Sequence, residues 1–510
     1  MPVKSVGLFR TAELILGKQL DPREMISMQW SIVARFAMQM VILIVSFQIS
    51  AASGEDWPQF RGPNASGISK ESKNLPVEFS VKTNKNVKWS ADLGRGIACP
   101  VISQGRAFST TMVDESTFAV VAFDAVTGKS LWKQEFDAGE LPDITAPNEQ
   151  ASSTPATDGE RVYVHFSTLG MLALSATDGE VLWQKELPMP FYLLGWGPAN
   201  SPIVYQDMVL FNLDDDLEPY LIAFDKFTGE IRWRTSRPEM LGGYSTPVMC
   251  DANGRTDVVV AGSGKLKGYD PETGQERWTC NTLLRTIMTS PVVQRDRIFV
   301  SVQSYGDTDR VLKYALLQWS DTNQDEKLDK TELNEAFWTK FDNGDRNKDG
   351  FLVDDEIDAA FQSPSNMVGG GTTIQAVRGG GEGDVTKSHL IWNKENDAPS
   401  NISSPLVVDG RLLVVKKGGI SAVFQAEDGE TVWVKKRIRN FGNYFASPIY
   451  GDGKIYVTGE NGNIVVLDAT GEKPAILGKN DMDDSCTATP AIANNHIYVR
   501  TLHKLVCVGL

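Results

Sequence analysis

The sequence has few cysteines and histidines, and its acidic side chains outnumber its basic ones. Five cysteines and four histidines occur in 510 residues, and no two cysteines adjoin or form a CxxC pair. The sequence signatures of a dithiol redox pair and of a c-type haem are therefore missing. The formal net charge of −15 would repel a phosphate backbone, so we expect no nucleic-acid partner.

An odd number of cysteines is unusual in a protein from an oxidising compartment. Cys99 and Cys486 both lie shortly before prolines of the repeat described below. A disulfide between them is one interpretation, and buried free thiols are the interpretation that we favour.

The sequence also lacks an apolar segment suited to crossing a membrane. The apolar run at residues 36–49 spans fourteen residues, too few for a hydrocarbon core of roughly 30 Å. It follows Arg35 and precedes the small residues Ser50, Ala51 and Ala52, a pattern typical of a signal peptide. We expect residues 1–52 to be a leader, which predicts a periplasmic or secreted bacterial protein without a stable membrane span. An uncleaved anchor is the alternative.

A small residue stands directly before a proline at eight places along the chain. Six of the seven intervals between these prolines fall between 42 and 55 residues, which is the period of a propeller blade. Most are followed by a β-type run, a glycine-containing turn and a tryptophan four residues past the glycine. The eight small residues are Cys99, Thr154, Ser201, Thr246, Ser290, Ser404, Ser447 and Thr489, and the tryptophans are Trp132, Trp183, Trp233, Trp278 and Trp433.

We interpret this repeat as an all-β, eight-bladed propeller, because such sheets bury both faces only between neighbours and must close into a ring. The last blade starts at residue 487 and has room for three strands. We expect residues 86–93, with Trp89, to supply its fourth strand and so remove an exposed edge. Residues 53–85 would form an N-terminal segment, and residues 86–315 and 363–510 the two parts of the propeller. The tryptophans are predicted to pack between blades rather than bind a ligand.

One interval is 114 residues long, and its excess falls in the fifth blade. There, residues 316–362 hold 13 Asp or Glu against 5 Lys or Arg, which predicts an inserted helical domain. Two twelve-residue loops within it alternate oxygen-bearing side chains and end in glutamate, as calcium coordination requires. Loop one contains Asp321, Asn323, Asp325, Lys327, Asp329 and Glu332, and loop two contains Asp345, Asn347, Asp349, Phe351 and Glu356.

The two loops resemble the EF-hand family. The resemblance implies a compact pair that binds calcium, with Leu328 and Leu352 forming a β-bridge and helices at residues 330–341 and 354–361. Loop one has Glu326 where the sharp turn requires glycine, whereas loop two has Gly350 there. We therefore expect loop two, despite Val353 at its ninth position, to bind more tightly. A solvated acidic hairpin without metal is the alternative.

The propeller repeat, with its x-[ST]-P start and D-x-x-T-G-x-x-x-W end, resembles the quinoprotein family over residues 86–510 apart from the insert. The segment DWPQFRGP at residues 56–63 is similar to the N-terminal motif of secreted bacterial members. The resemblance implies either a non-enzymatic scaffold or a periplasmic dehydrogenase of small alcohols or sugars that uses pyrroloquinoline quinone (PQQ) with calcium. The vicinal cysteine pair of the alcohol-dehydrogenase type is absent here.

Loops before the predicted inner strands carry carboxylates that match no catalytic motif, so no catalytic residue is assigned and PQQ has no matched site. These are Glu149, Asp397, Asp481, Asp483 and Asp484. The same loops carry aromatic and arginine side chains that would suit a protein or glycan partner, namely Arg95, Tyr192, Trp196, Tyr244, Arg285, Arg439 and Tyr444. We predict a monomeric binding or assembly scaffold with calcium in its insert, and the alternative is a PQQ-dependent dehydrogenase.

Overall fold

The computed structural model describes residues 55–510 apart from 193–194, 282–287, 305–316, 318–319, 334–337, 354, 362–370, 396–401, 440–441 and 470–474. The chain divides into two units, Met1–Ser53 and Gly54–Leu510, and every described residue belongs to the second. The predicted leader therefore lies outside the described residues. Within them, no helix is both long and apolar enough to cross a bilayer.

The described strands form eight sheets, each with four antiparallel strands, arranged as the eight blades of a propeller. Blades one to four contain β2 Val101–Ser103, β3 Arg106–Asp114, β4 Thr117–Asp124 and β5 Ser130–Asp137; β6 Ala156–Thr157, β7 Arg161–Phe166, β8 Gly170–Ser175 and β9 Val181–Lys185; β10 Ile203–Tyr205, β11 Met208–Leu213, β12 Tyr220–Asp225 and β13 Ile231–Ser236; and β14 Val248–Ala252, β15 Arg255–Gly262, β16 Lys265–Tyr269 and β17 Glu276–Cys280. This confirms the predicted fold.

The remaining blades follow the same plan. They contain β18 Val292–Gln294, β19 Arg297–Ser304, β20 Gly371–Arg378 and β22 Leu390–Glu395; β23 Leu406–Val408, β24 Arg411–Lys416, β25 Ile420–Gln425 and β26 Thr431–Arg437; β27 Ile449–Gly451, β28 Lys454–Thr458, β29 Asn463–Asp468 and β30 Ala475–Asp481; and β31 Ala491–Ala493, β32 His496–Arg500, β33 Lys504–Val508 and β1 Val87–Asp92. Single 3-10 turns occupy Pro63–Ala65 and Lys417–Gly419.

Burial along the strands follows from the packing of each blade between two others. All six residues of β11 are buried, because both faces of a middle strand contact a neighbouring blade. The outer strand β9 alternates instead: Trp183 is buried, whereas Leu182 and Gln184 on either side are exposed. The hydrophobic core is therefore spread between the blades rather than gathered at one centre.

The tryptophans pack between blades, as predicted. Trp132 donates from its indole nitrogen to the carbonyl of Ala176 in the next blade at 3.1 Å, and its ring lies against Gly179. Equivalent bonds to the next blade are made by Trp89, Trp183, Trp233 and Trp392. Trp278 and Trp433 bond within their own blades, to Asp257 and Ser421. The blades that follow these two depart from the repeat, because blade five carries the insert and β30 of blade seven contains no tryptophan.

The ring closes through a strand shared between the two ends of the propeller sequence. β1 pairs antiparallel with β33, and Trp89 stands opposite Cys507. The strand was predicted at residues 86–93 and is observed at Val87–Asp92. All five cysteines are buried and free, in agreement with the favoured interpretation.

The structure adds two features around the insert that the sequence did not indicate. Blade four has a fifth strand, β21 Gly383–Asp384, which pairs in parallel with β17 and precedes the short helix α3 Thr386–His389.

The insert lies between β19 and β20, and its described helices are α1 Trp338–Gly344 and α2 Asp355–Phe361. The first helix was predicted too early, since residues 330–333 form a turn and bend.

Candidate functional site

The eight residues that precede the repeated prolines line a channel at the centre of the propeller. Seven hydrogen bonds join them side by side, each from the backbone N–H of one residue to the side-chain oxygen or sulfur of its neighbour, at 2.9 to 3.2 Å. The bond from Thr489 to the sulfur of Cys99 joins blades eight and one, so the seven bonds link all neighbours in the circle except Ser201 and Thr246. We call these eight residues the axial ring.

The geometry of the axial ring explains why each small residue precedes a proline. A residue before proline is restricted to extended conformations, and proline itself has no N–H to satisfy at the strand start. The backbone N–H of the residue before the proline is therefore free to bond the neighbouring blade. There, the small residue at the equivalent position accepts this hydrogen bond through its side-chain oxygen or sulfur. The sequence analysis identified the starts of the inner strands but did not predict this ring. The signal for the ring is that only Ser, Thr or Cys occurs at the eight positions before the prolines.

The channel has a volume of about 250 Å³ and an uncharged wall. Besides the axial ring, Trp196, Tyr244, Met288 and Phe445 line it, and none of the lining residues is Asp, Glu, Lys, Arg or His. The volume exceeds the roughly 150 Å³ that accommodates benzene in an engineered protein cavity. The channel can therefore hold a group the size of an aromatic side chain.

The N-terminal segment crosses the propeller at the other ends of the inner strands and contributes Phe60 to the channel wall. Its backbone or side chains bond Ile102 in blade one, Thr157 in blade two, Met249 in blade four and Tyr450 in blade seven. Arg61, the next residue, is fully buried, and loss of solvent lowers its pKa to about 9. Contacts with so many blades make this segment part of the ring rather than a loose extension.

Aromatic side chains gather where the loops before the inner strands meet, at what we call the mouth. Tyr192 and Tyr244 stack with ring centroids 4.8 Å apart, and Trp196 lies 6.3 Å from Tyr244. The hydroxyl of Tyr192 donates to Asn200 at 2.9 Å. Burial raises the pKa of Tyr192 and of Tyr244 well above the ordinary tyrosine value, so both stay neutral.

Three consecutive aspartates, Asp214 to Asp216, lie in the loop after β11 of blade three, and two of them bond neighbouring loops of the mouth. Asp214 makes a bidentate ion pair with the buried Arg237, at 2.7 and 2.8 Å. Asp215 accepts backbone N–H groups from Phe191 and Glu218, yet burial still raises its pKa to about 7. These bonds tie the loop after β11 to the two neighbouring loops of the mouth.

Loop two of the insert contains buried carboxylate oxygens without described partners. Gly350 has a φ of +86°, and its N–H donates to Asp345. One carboxylate oxygen of Glu356 accepts from Asn347 and Arg346, whereas the other has no hydrogen-bond partner among the described residues, although Glu356 is only 8% exposed. One oxygen of Asp345 is likewise buried without a described partner. Buried carboxylate oxygens of this kind are the ligands that a hard divalent cation prefers.

In loop one, the carboxylate oxygens of Asp321 and Glu332 already accept hydrogen bonds. Both oxygens of Glu332 accept backbone N–H groups, from Thr322 and Asp329, and both oxygens of Asp321 are also occupied. Glu326 has a φ of +61°, a left-handed conformation that strains a side chain other than glycine. In the described part of the chain, no three Asp, Glu, His or Cys side chains are gathered as a metal cluster, so a cation would have to displace loop hydrogen bonds.

The predicted bridge between the two loops is present. Leu328 and Leu352 exchange two backbone hydrogen bonds, at 3.1 and 2.8 Å. Their side chains enter a small core with Phe341 and Ile357. The other predicted ligands, Asn323, Asp325, Lys327, Asp329, Asp349 and Phe351, lie around these loops with exposed or half-buried side chains.

One propeller residue belongs to the core of the insert. Leu241, from the loop between β13 and β14, is completely buried in the cluster that contains Leu328, Phe341 and Ile357. The same loop continues to Tyr244 in the channel wall. The two loops of the insert therefore pack beside the mouth, a contact that no pattern in the sequence indicated.

The structure separates the other predicted mouth residues. Trp196 and Tyr244 line the channel, whereas Tyr444 is buried and donates to the carbonyl of Arg439. Glu149 pairs with Arg95 at 2.7 Å, and Asp484 bonds Thr501. Asp481 and Asp483 are outside the channel wall, and Asp397 and Arg285 lie outside the described residues. The four described carboxylates therefore do not converge on one site.

Comparison with known proteins agrees with this architecture. The family model described as outer membrane protein assembly factor BamB matches residues 77–193, 196–353 and 364–510. The chain belongs to this family. It is similar to BamB of Shewanella oneidensis, with 22% identity over 439 residues that cover 82% of this chain and 97% of the relative. BamB of Yersinia pestis is 22% identical over 74% of this chain and 87% of its own.

The chain is also similar to quinone-dependent enzymes, over a smaller part of its sequence. The quinohemoprotein alcohol dehydrogenase ADH IIB of Pseudomonas putida is 25% identical, over 31% of this chain and 23% of its own length. The crystal structure of BamB from Moraxella catarrhalis matches 83% of this chain and 97% of its own, with a TM-score of 0.51 and 12% identity. Quinohemoprotein alcohol dehydrogenase from Comamonas testosteroni matches 89% and 81%, also at 0.51, with 11% identity. These structures share the fold.

Proposed function

We propose that this BamB-family protein is an exported scaffold that binds protein partners during outer-membrane assembly. The chain is similar to two proteins named outer membrane protein assembly factor BamB over most of their length, and this similarity supports the role. The observation that carries the proposal is the uncharged channel with an aromatic mouth, because aromatic side chains and accessible hydroxyls suit polypeptide recognition. The N-terminal segment stiffens the opposite face of the ring.

The residues present do not fit PQQ. A polyanionic quinone with calcium needs cationic side chains and carboxylates in the channel, and the part of the wall that the structure describes has neither. Of the described carboxylates predicted near the mouth, Glu149 and Asp484 bond other residues, and Asp481 and Asp483 lie outside the wall. This argues against the dehydrogenase alternative.

Photocrosslinking tests the scaffold role. A photoreactive phenylalanine in place of Met288, in the channel wall, should crosslink exported outer-membrane polypeptides in cells. The matched control replaces Val126, a 70% exposed residue on the outer rim, and should give no such product. Equal labelling at both positions would contradict the proposal, as would reduction of a dye by the purified protein with PQQ, calcium and an alcohol.

The second part of the proposal is that the insert binds calcium, chiefly in loop two. Asp345, Asn347, Asp349, Glu356 and the backbone carbonyl of Phe351 would supply oxygen ligands. The buried, unpaired oxygen of Glu356 supports this assignment, because a carboxylate without a partner is costly to bury. A bound cation would hold the loops in the conformation that docks on Leu241.

Isothermal titration with calcium tests this ranking. Glu356→Gln should weaken the tighter site by at least tenfold, because it removes the bidentate carboxylate. The matched variant Glu332→Gln should leave that site nearly unchanged. No calcium heat in the parent protein, or equal losses in the two variants, would contradict the prediction.

A further inference from the structure

The outer edge of blade four is covered by an added strand. β21 pairs in parallel with β17, with Gly383 opposite Trp278, and Val385 donates to the carbonyl of Thr279 at 2.9 Å. Trp278 is 1% exposed, whereas the equivalent tryptophans of blades one to three are 8 or 9% exposed. The outer edge of a blade therefore accepts an extended segment, which shields the tryptophan beside it.

Blade seven shows a similar arrangement. Ser80 of the N-terminal segment pairs in parallel with Asp481 at the end of β30. The side chain of Asn480 accepts from the backbone N–H of Phe79 at 2.7 Å and donates to the carbonyl of Val77 at 3.1 Å. Edge strands present N–H and C=O groups on which a further strand can form. In this molecule, the segment that covers an outer strand is thus an extended backbone.

The outer edge of β9, in blade two, is covered by no described strand and is poor in charge. β9 is the last strand of its sheet, and its one charged residue is Lys185 at its end. The outer strands of blades one, three, five, six and eight each contain at least two charged residues. Charged side chains commonly protect edge strands from pairing with another chain. Of these six edges, that of β9 is therefore the least protected.

Four exposed apolar side chains lie at the boundary between blades two and three. Trp183 of β9 packs on Gly229 and donates to the carbonyl of Lys226 at 3.0 Å, so the turn of blade three lies against this strand. Exposed apolar surface gains free energy when an apolar ligand covers it. The four residues are Val181 and Leu182 of β9 and Phe227 and Ile231 of blade three, each 37 to 48% exposed.

We propose that the outer edge of β9 binds an extended, uncharged polypeptide segment as an added strand. The main chain of this segment pairs with β9, and its apolar side chains cover Val181, Leu182 and the apolar residues of blade three. Strands of outer-membrane barrels alternate apolar and polar side chains, so a barrel strand that has not yet paired has this chemistry. Main-chain pairing gives affinity without requiring one sequence. The inference rests on the proposed scaffold role and adds a second site outside the channel.

Fluorescence anisotropy with a defined peptide tests the site in the purified protein. The probe is a six-residue peptide that alternates valine and threonine, with blocked ends and a fluorescein label. The matched peptide has proline at its two middle positions, which cannot donate to a strand ladder. The first peptide should bind and should slow hydrogen exchange in residues 181–185 by at least threefold. The proline peptide should do neither.

Leu182→Arg locates the site. Arg232 and Arg277 occupy the equivalent position before the tryptophan in blades three and four, so the fold accepts a charge there. The variant should keep the melting temperature of the parent and bind the valine-threonine peptide at least fivefold more weakly. Leu131→Arg, at the equivalent position of blade one, is the matched control and should leave peptide binding unchanged.

Gln184→Pro tests the main-chain pairing itself. Gln184 follows Trp183 as Thr279 follows Trp278, and the carbonyl of Thr279 faces the added strand of blade four. Proline is tolerated on an edge strand when the lost N–H faces solvent. The variant should also bind the valine-threonine peptide at least fivefold more weakly. Gln184→Ala, which loses the same side chain but keeps the N–H, should bind it like the parent.

Photocrosslinking in cells separates this inference from the scaffold role. A photoreactive phenylalanine in place of Leu182 should label exported outer-membrane polypeptides, and the same group in place of Leu131 should not. Labelling from Met288 but not from Leu182 would overturn the edge site and leave the scaffold role intact. Labelling from Leu182 but not from Met288 would support the edge site and remove the channel from the scaffold role. Labelling from neither position would overturn both.

The purified protein can also give results that overturn the proposal. These are the absence of binding by the valine-threonine peptide, equal binding of the proline peptide, and unchanged binding in Leu182→Arg. Two further results would assign the surface to another occupant. Without peptide binding, loss in Leu182→Arg of binding to vesicles of phosphatidylethanolamine and phosphatidylglycerol would indicate a lipid surface, and loss of a dimer in light scattering would indicate a second copy.

Discussion

At the scale of single residues, the glycine of each blade turn meets two independent constraints. Gly179 has a φ of +79°, a conformation that L side chains rarely adopt. A Cβ built there would lie 2.6 Å from the ring of Trp132 in the preceding blade. The glycine and the tryptophan of neighbouring blades are therefore selected together, which explains why both recur in the repeat.

Replacing Gly179 by alanine should lower the free energy of unfolding by about 2 to 4 kcal/mol, the sum of backbone strain and overpacking against Trp132. The matched control is Gly254→Ala, where φ is +73° but nothing lies within 4 Å of the added Cβ. It should cost about 1 to 2 kcal/mol. Denaturant unfolding measures both, and equal losses would show that the tryptophan contact contributes nothing.

A second residue-scale feature is a buried histidine. His165 packs against Phe211 with centroids 4.5 Å apart, and its Nε2 has no hydrogen-bond partner among the described residues. Burial lowers the pKa of His165 to about 3, compared with about 6.5 in an unfolded chain. Between these values the unfolded chain binds the extra proton, so acid favours unfolding.

The parent protein should therefore lose about 2 kcal/mol of stability from this group between pH 7.5 and pH 5. In His165→Phe, which keeps an aromatic ring beside Phe211, that part of the loss should disappear. Denaturant unfolding at both pH values provides the test. An identical pH dependence in the two proteins would show that His165 is not the group responsible.

At the scale of elements, the insert is coupled to the mouth through Leu241. Calcium in loop two would act on Glu356, and the next residue, Ile357, shares a core with Leu241. Leu241 is also tied to the propeller, because Ser263 donates to its carbonyl and Gly243 donates to Asp214. Order in the two insert loops should therefore extend to the loop that carries Tyr244.

Calcium should slow hydrogen exchange in residues 237–247 by at least threefold in the parent protein. Leu241→Ala should remove most of this effect while leaving calcium binding largely intact, because the alanine no longer fills the insert core. Leu182→Ala, an exposed position on β9, is the control. Calcium protection that is the same in Leu241→Ala would show that the insert and the mouth are independent.

Particular elements show what the sequence could predict. The blade count and β1 follow from local patterns with a regular period, the Leu328 to Leu352 bridge follows from the EF-hand resemblance of the two loops, and the structure confirms all three. The fifth strand of blade four, the docking of Leu241 and the position of Arg61 depend on contacts between segments far apart in the chain, for which no local pattern exists. The sequence shows that the eight positions of the axial ring hold only Ser, Thr or Cys. It does not show that these residues bond one another, because the bonded partners lie 42 to 390 residues apart in the chain.

At the scale of the whole molecule, closure depends on the N-terminal part of the chain in two ways. β1 completes blade eight, where Trp89 is 8% exposed and bonds Ala125 of blade one. The segment before it bonds blades one, two, four and seven and places Phe60 in the channel. By contrast, the insert joins adjacent strands of a single blade and reaches the described propeller core through Leu241.

Removing residues 53–93 should therefore be far more damaging than removing residues 316–362, although the two segments are of similar length. The first deletion leaves the β33 edge unpaired, and loss of a buried tryptophan alone costs about 3 to 5 kcal/mol. The second should leave a folded ring when a short Gly-Ser bridge joins the ends and Leu241→Ser covers the exposed apolar site. We expect aggregation of the first protein and a monomeric scattering profile with a cooperative melting curve for the second. A soluble monomer with an unchanged melting temperature after deletion of residues 53–93 would show that neither the shared strand nor the crossing segment closes the ring.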